Sequence, residues 1–400
     1  MGSTTVTGAN NETITLTYQS ADNTALAQQL AAQINNAVAG GNVLPVDYNG
    51  SPLPPAPPNQ TLEVVDKASG PLALPSDATA VVNVAPDAVI TGSGAPDAQV
   101  LSGHGSMRFA TNGGSGTVVT GDGNNFIVQQ GLGGWNIHTG AGDDTVVANY
   151  GPNTVAAGGG TNDIKLLGGS NLVYSTGTDA ILAAAGSTTI DAGSGSNIDH
   201  VLGVNASITF IGGAGPATVT GGEGSVTAFG GAGGGEFRGG AAGSNFIEGG
   251  SGATTIFGGG DGDQLFAGPN GNTDIYAASG NETLTGSSGF GNAKLYAGSG
   301  SDLIVGGMGA DTFYGGTGAA TMVGGAGTDV FDFVRGQGGT ATIQDFAPGD
   351  KVHLTGFRPD EAEKALDNQQ NQGGSTTITL SDQTQITFVG VGNLKPTNFG

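Results

Sequence analysis

From about residue 101 onward one bulky apolar residue returns every nine positions or so, set between small and polar neighbours. The beat is clearest in GSGSDLIVG, GMGADTFYG, GTGAATMVG and GAGTDVFDF, from Gly298 to Phe333, where Ile304, Phe313, Met322 and Phe331 follow one another at nine-residue intervals. Backwards from there, Leu295, Leu284, Ile275, Phe266, Ile256, Ile247 and Phe237 continue it, and Val219, Ile208, Ile190, Ile181, Val173, Ile164, Val155, Val146, Ile137, Ile127 and Val118 carry it to the start of the block. A flexible linker does not keep a single large residue in phase over so long a stretch, so the pattern predicts a repeat architecture. Each unit reads as a three-residue strand with one inward side chain, such as Thr312-Phe313-Tyr314, followed by a glycine turn. Two units, one on each side, make an 18-residue coil that stacks on the next through parallel pairing. The expected fold is all-β, a parallel β-roll or β-solenoid with a thin apolar core.

The flanks follow other rules. Ile14, Leu16 and Tyr18 alternate with polar residues as in a half-buried strand, and Leu26, Leu30, Ile34 and Val38 mark one face of a helix. Ser20 or Asp22 can cap that helix and Gly40-Gly41 can end it. Residues 1–50 are therefore a strand-helix segment, with no evident partner inside the repeat block and a candidate role in assembly. Residues 51–100 contain PLPPAPP and read as a proline-rich linker leading into the solenoid. Residues 101–340 are the repeat block. In 341–400, Ile378, Leu380, Ile386 and Phe388 suggest a β cap.

Composition sharpens this picture. Of 79 glycines, 64 fall in residues 101–340, and there is no cysteine, which excludes disulfides and thiolate zinc sites. With 33 acidic and 10 basic side chains the net charge is −23, which repels nucleic acid and anionic lipid. Hard carboxylate oxygens favour calcium or magnesium over softer metals, which makes calcium the cofactor to look for. The amino terminus has no basic, apolar leader, and no apolar run is long enough to span a membrane.

The consensus of the beat is Gly-Gly-x-Gly-x-Asp-x-U-x, and over about residues 101–345 the chain resembles the RTX, or hemolysin-type, calcium-binding repeats. The resemblance implies Ca2+ as cofactor, held by the aspartate and the turn carbonyls of repeats 18 residues apart. On that basis Asp311 and Asp329, with Gly307, Gly309, Gly325 and Gly327, are the strongest candidate ligands. Asp144, with Gly140 and Gly142, also matches. Asp302 pairs poorly because position 320 is Ala, although Glu282 one coil earlier can assist. Asn125, Asn162 and Asn171 stand where the family has aspartate, so only a minority of turns are expected to hold metal. Thr340–Leu354, TATIQDFAPGDKVHL, is similar to the segment that closes such stacks. The resemblance further implies that the uncleaved C-terminal end is a type I secretion signal and that the protein is extracellular.

Catalytic motifs do not accompany the repeats. There is no His-Glu-x-x-His, no Gly-x-Ser-x-Gly and no Walker A sequence, and His104, His138, His200 and His353 are scattered as surface or turn residues. Asp261/Asp263 is the one carboxylate pair to inspect for polysaccharide chemistry. The expected function is a secreted, calcium-stabilised structural β-roll of a surface layer, biofilm matrix or self-assembling filament, without enzyme activity. Its expected partners are further copies of itself, head to tail through the amino-terminal segment. The alternative is an adhesin or a module binding ice or carbohydrate, with a polysaccharide-acting enzyme as the lesser one. The threonine runs do not recur at every coil, which disfavours an ice-binding array.

Overall fold

The computed structural model describes residues 1–400 except 69, 93, 104 and 194–198, and of residue 199 only the backbone. His104 thus lies outside the described residues. The chain forms two compact units, Met1–Val201 and Leu202–Gly400.

In the first unit two parallel ladders face each other across a narrow core. One sets Val64, Val81, Val100, Val118, Ile137, Val155, Val173 and Ile190 in register. The other sets Leu72, Ile90, Phe109, Ile127, Val146, Ile164 and Ile181. All are at most 2% exposed. Each contributes roughly 1.5–3 kcal/mol by leaving water, and one such residue per half-coil forms the spine of the core, beside which Leu62, Met107, Trp135 and Leu166 are also buried. The second unit repeats the design, with Phe210, Ala228, Ile247, Leu265, Leu284, Ile304, Met322, Ile343 and Phe388 on one side. Val219, Phe237, Ile256, Ile275, Leu295, Phe313, Phe331 and Val352 form the other. The parallel solenoid expected from the nine-residue beat is therefore present in both units.

Four expectations change. The solenoid does not begin near residue 101. Val43–Tyr48 already pairs in parallel with Thr61–Asp66, and Ala78–Asn83 and Ala98–Ser102 extend the same ladder. The proline-rich stretch between Tyr48 and Thr61 lacks strand structure, and it is tethered where the Ala56 N–H donates to Asp77 (2.8 Å). These early coils escaped notice because their turns carry Pro-Asp, off the glycine consensus. Asp87 and Asp97 take the left-handed conformation themselves, with φ of 54° at each.

The amino-terminal segment, in turn, does have a partner inside its own unit. Gly2–Thr7 and Thr13–Tyr18 form an antiparallel hairpin, and helix α1 follows at Ala21–Ala39, its first turn capped by the Ser20 hydroxyl. Ala27, Leu30, Ala31 and Ile34 share one buried cluster with the hairpin's Val6, Ile14, Leu16 and Tyr18 and with four strand residues of the solenoid, Val65, Val82, Leu101 and Val119. Those last four are outward residues, each next in sequence to an inward valine. Asn23 fastens the helix by donating to the carbonyls of Thr120 (3.3 Å) and Thr139 (2.9 Å). The apolar face that suggested a neighbouring molecule is thus covered intramolecularly. Leu30→Ala should lower the unfolding free energy of the full chain by about 2–5 kcal/mol in denaturant titration. A loss well below about 1 kcal/mol would contradict this packing.

The inward residue near position 266 is Leu265, because Phe266 turns outward and meets Phe246 at a centroid distance of 5.2 Å. Finally, the cap contains a short helix, α2 (Glu361–Asp367), that no periodicity announced. The expected hairpin is there: Ser375–Thr379 pairs antiparallel with Gln385–Phe388, which lies parallel on Thr340–Ile343 and closes that ladder.

Candidate calcium centres in the glycine turns

Each strand enters its coil directly after the consensus aspartate position, and that residue is buried in most coils. Strand register places Asp311, Asp329 and Asp350 on successive coils of one side, and Asn245, Asp263, Glu282 and Asp302 on the other. In the first unit Asn125, Asp144, Asn162 and Asp179 make a third column, and Asn153 and Asn171 a fourth.

Within a column the side chain of one coil accepts a hydrogen bond from the backbone N–H of the coil before it. Asp311 Oδ1 accepts from Ala293 N (2.7 Å), Asp329 Oδ1 from Asp311 N (2.9 Å), and Asp350 Oδ1 from Asp329 N (3.0 Å). Asp302 Oδ1 serves Glu282 N (3.1 Å), and Asp144 Oδ1 serves Asn125 N (2.7 Å). Asparagine does the same work, since Asn162 Oδ1 accepts from Asp144 N (3.0 Å). This explains why Asn replaces Asp so freely: the inter-coil bond needs an oxygen, not a charge.

The charge is left over. Twelve of the 33 acidic residues are buried, and none of the twelve is in an ion pair among the described residues. Asp311 Oδ2, Asp144 Oδ2, Asp179 Oδ2 and both carboxylate oxygens of Glu282 have no hydrogen-bond partner. Burial raises Asp144 and Asp329 to a pKa of about 6, against weaker opposing hydrogen bonds; for Asp329 the carboxylates of Asp350, Asp311 and Asp345 add to the rise. Asp311 and Asp179 shift upward for the same first reason. Glu282 also rises, first by burial and then by the adjoining carboxylates of Asp302, Asp263 and Asp261. A buried carboxylate with no counter-charge is costly, and a bound cation removes the cost.

The turns offer further oxygens to such a cation. A Cβ built on Gly306 would lie 2.4 Å from the Gly324 carbonyl oxygen and 2.7 Å from Asp311 Oδ2, so both oxygens face one glycine cradle. Gly307, Gly325, Gly327 and Gly142 all have positive φ. Gly309 and Gly140 do not, but a Cβ there would press on the carbonyl oxygens of Gly291 (2.2 Å) and Gly121 (2.4 Å). No cluster of three or more acidic or histidine side chains suited to a metal is present among the described residues. One or two of these carboxylates together with turn carbonyls would hold a cation, and this donor set of hard oxygens fits calcium.

The expected positions fall out as follows. Asp311 and Asp329 are on adjacent coils and directly bonded. Asp302 stands opposite Ala320, as its spacing required, with Glu282 on its other side. Asp144 is flanked by asparagines. Asp261 and Asp263 belong to these turns: Asp263 Oδ1 holds Asn245 N (2.8 Å) and Asp261 Oδ1 holds Asn281 N (2.7 Å). Asp345 and Asp350 are additions. Asp345 receives the N–H groups of Gly324 (2.7 Å) and Gly325 (2.9 Å), sealing the Asp329 turn from the far side. The tail sequence containing them was visible, but its off-beat spacing hid their place in the column.

The geometry makes a direct prediction. Gly327→Ala would force a side chain into a φ of +150° with its Cβ 2.0 Å from the Gly309 carbonyl oxygen. It should cost at least about 1–3 kcal/mol. Gly338→Ala, at φ +67° with nothing within 4 Å, isolates the backbone component and should cost less. Equal losses in paired thermal melts would show that the inter-coil contact is immaterial.

No curated protein matches the chain. The family model of the RTX calcium-binding nonapeptide repeat matches residues 138–173, 239–274, 287–322, 296–331 and 309–339, which include Asp144, Asp311, Asp329, Asp302 and the turns around them. Over residues 138–173, 239–274 and 287–339 the coils of this solenoid match RTX calcium-binding nonapeptide repeats.

Proposed function

We propose that the protein is an extracellular structural solenoid, folded and held by calcium, that serves in a surface layer or matrix. The observation that carries this reading is the set of buried carboxylates without a counter-ion, concentrated at the repeat aspartates. Without calcium, carboxylate repulsion and the entropy of the glycine turns favour an extended chain, which suits passage through an exporter. Millimolar calcium outside then binds the folded form and stabilises it by mass action. Asp311, Asp329 and the carbonyls of their turns form the principal site, with Asp302/Glu282 and Asp144 as secondary ones.

Assembly in this reading does not use the apolar face of α1, which is buried on the chain's own strands. It uses other surfaces of the solenoid. Circular dichroism and electron microscopy of one sample, with calcium and with chelator, test both parts. The expected result is a gain of β signal on adding calcium, with ordered assemblies on the grid. Monodisperse single molecules in both conditions would remove the layer or matrix role, and a spectrum indifferent to calcium would remove the folding role. Export is tested separately: a chain lacking 341–400 should remain inside the producing cell, and its efficient release would show that the signal lies elsewhere.

A further inference from the structure

We propose that the groove between α1 and the strand face beside it binds a neutral oligosaccharide laid across successive coils of the first unit. This goes beyond the structural role above and does not depend on the calcium turns.

The groove, of about 610 Å³, has a floor of outward side chains, one from each coil. Gln99, Thr117, Asn136 and Thr154 are in strict register and repeat at the strand spacing of about 4.8 Å. That step is comparable to the length of one sugar ring; because Gln99 is tied across the groove to Gln33, the three rungs Thr117, Asn136 and Thr154 offer a track of roughly 10 Å, room for about two rings. The opposite wall is α1, where the exposed Gln29 and Gln33 lie one turn apart beside the groove. Leu26, only partly buried, adds an apolar contact against which the C–H face of a ring can rest.

The choice of ligand follows from charge. The chain carries 43 charged side chains, yet of the fifteen residues lining this groove only Asp97 is charged. A polyanion finds no cation here and meets a strongly negative molecule. A polycation finds one carboxylate. Amides and hydroxyls, by contrast, each donate and accept, which matches the dual character of sugar hydroxyls. Some of this capacity is already used: Gln99 Nε2 donates to Gln33 Oε1 (2.7 Å), and Asn136 Oδ1 lies 2.9 Å from His138 Nε2. Gln29, Thr117 and Thr154 make no side-chain hydrogen bond among the described residues, so their groups are ready for a ligand. The pairing of Gln33 with Gln99 also fixes the wall to the floor, so the groove is formed before a ligand arrives.

The test uses the full chain in calcium, with cellohexaose and maltohexaose as neutral probes and polygalacturonate as the polyanion, by titration calorimetry. At least one neutral hexasaccharide should bind. Thr117→Trp, which fills the floor, should abolish binding, and Gln29→Ala with Gln33→Ala should weaken it about tenfold. Thr255→Trp, an outward strand position of the second unit, should leave it unchanged. Melting curves of each variant confirm folding, and their calcium response reports on the structural role independently. The proposal is overturned if neither neutral probe binds at millimolar concentration, if Thr117→Trp binds as wild type does, or if polygalacturonate binds more tightly than both.

Discussion

The double substitution Asp311→Asn with Asp329→Asn should remove most of the calcium-induced rise in melting temperature of its unit while leaving the calcium-free protein as stable as wild type, or more so. The reason is the division of labour within each carboxylate. One oxygen holds the preceding coil, through Ala293 N at 2.7 Å and Asp311 N at 2.9 Å, and an amide oxygen can do the same. The natural column containing Asn162 and Asn125 already shows that substitution in place. What asparagine lacks is the charge for the cation. At a hundredfold excess of calcium over Kd the lost stabilisation is about 2.7 kcal/mol per site, or roughly 5–10 °C for a unit of this size. The corresponding alanine pair should behave differently. It strands two buried N–H groups and should fall by about 1–3 kcal/mol for each even in chelator. Differential scanning calorimetry of the three proteins in calcium and in chelator separates the roles. If the asparagine pair keeps the full calcium response, the metal is held by other turns.

The second large effect is a reversal of the usual pH dependence in calcium-free protein. Asp144 and Asp329 titrate near 6 in the folded state, above the ordinary carboxylate value, because burial disfavours their charged forms. A raised acid pKa means that the folded state binds protons the unfolded state has released. Stability from these groups is therefore complete below about pH 4 and is lost as pH climbs through 6. The slope is at most about 1.4 kcal/mol per pH unit for each group. Asp311, Asp179 and Glu282 shift the same way and add to it. Calcium should flatten the profile, since a bound cation stabilises the ionised form. Thermal melts from pH 4 to 8 check this: without calcium the midpoint should fall with rising pH, and the gap between calcium and chelator should widen. A midpoint that rises through pH 6 in chelator would contradict the buried, unpaired state of these carboxylates.

Much of the architecture could be read from residues alone because a solenoid has only local rules. One bulky residue per half-coil and a glycine turn suffice to place Ile304, Phe313, Met322 and Phe331 in the core. Reading failed where a different residue performed the same task. Pro86-Asp87 and Pro96-Asp97 stand in these turns with aspartate in the left-handed position, off the glycine consensus, so the early coils looked like linker. It failed again where outward side chains matter. Val65, Val82, Leu101 and Val119 look like ordinary strand residues, and only three-dimensional adjacency shows that they form the seat of α1. Phe257, Tyr276, Tyr296 and Tyr314 likewise stack outside the core, with centroid spacings of 4.9, 4.2 and 4.2 Å. At the candidate site, the 18-residue spacing correctly put Asp311 beside Asp329, but nothing in the spacing revealed that each carboxylate also bonds the preceding coil. Asp345 and Asp350 join the same turn from 21 residues away, as in Asp329 N to Asp350 Oδ1, and so fell outside a search at fixed spacing.

The inter-coil bond from each turn residue to the N–H of the coil before it also limits how such a chain can change length over evolution. Coil length is tolerant by a few residues: Ile164 pairs with Ile181, whereas Met322 pairs with Ile343, so turns absorb differences of 17 against 21. Insertion of a single nine-residue unit is another matter. It would move every later strand to the opposite ladder, placing Asp302 in the column of Asp311 and breaking both columns at once. Whole coils, in contrast, can be duplicated or lost, because a new coil brings its own oxygen for its predecessor and its own N–H for its successor. The heritable unit of growth is thus the pair of repeats, and the ladder of buried side chains acts as a reading frame for the fold.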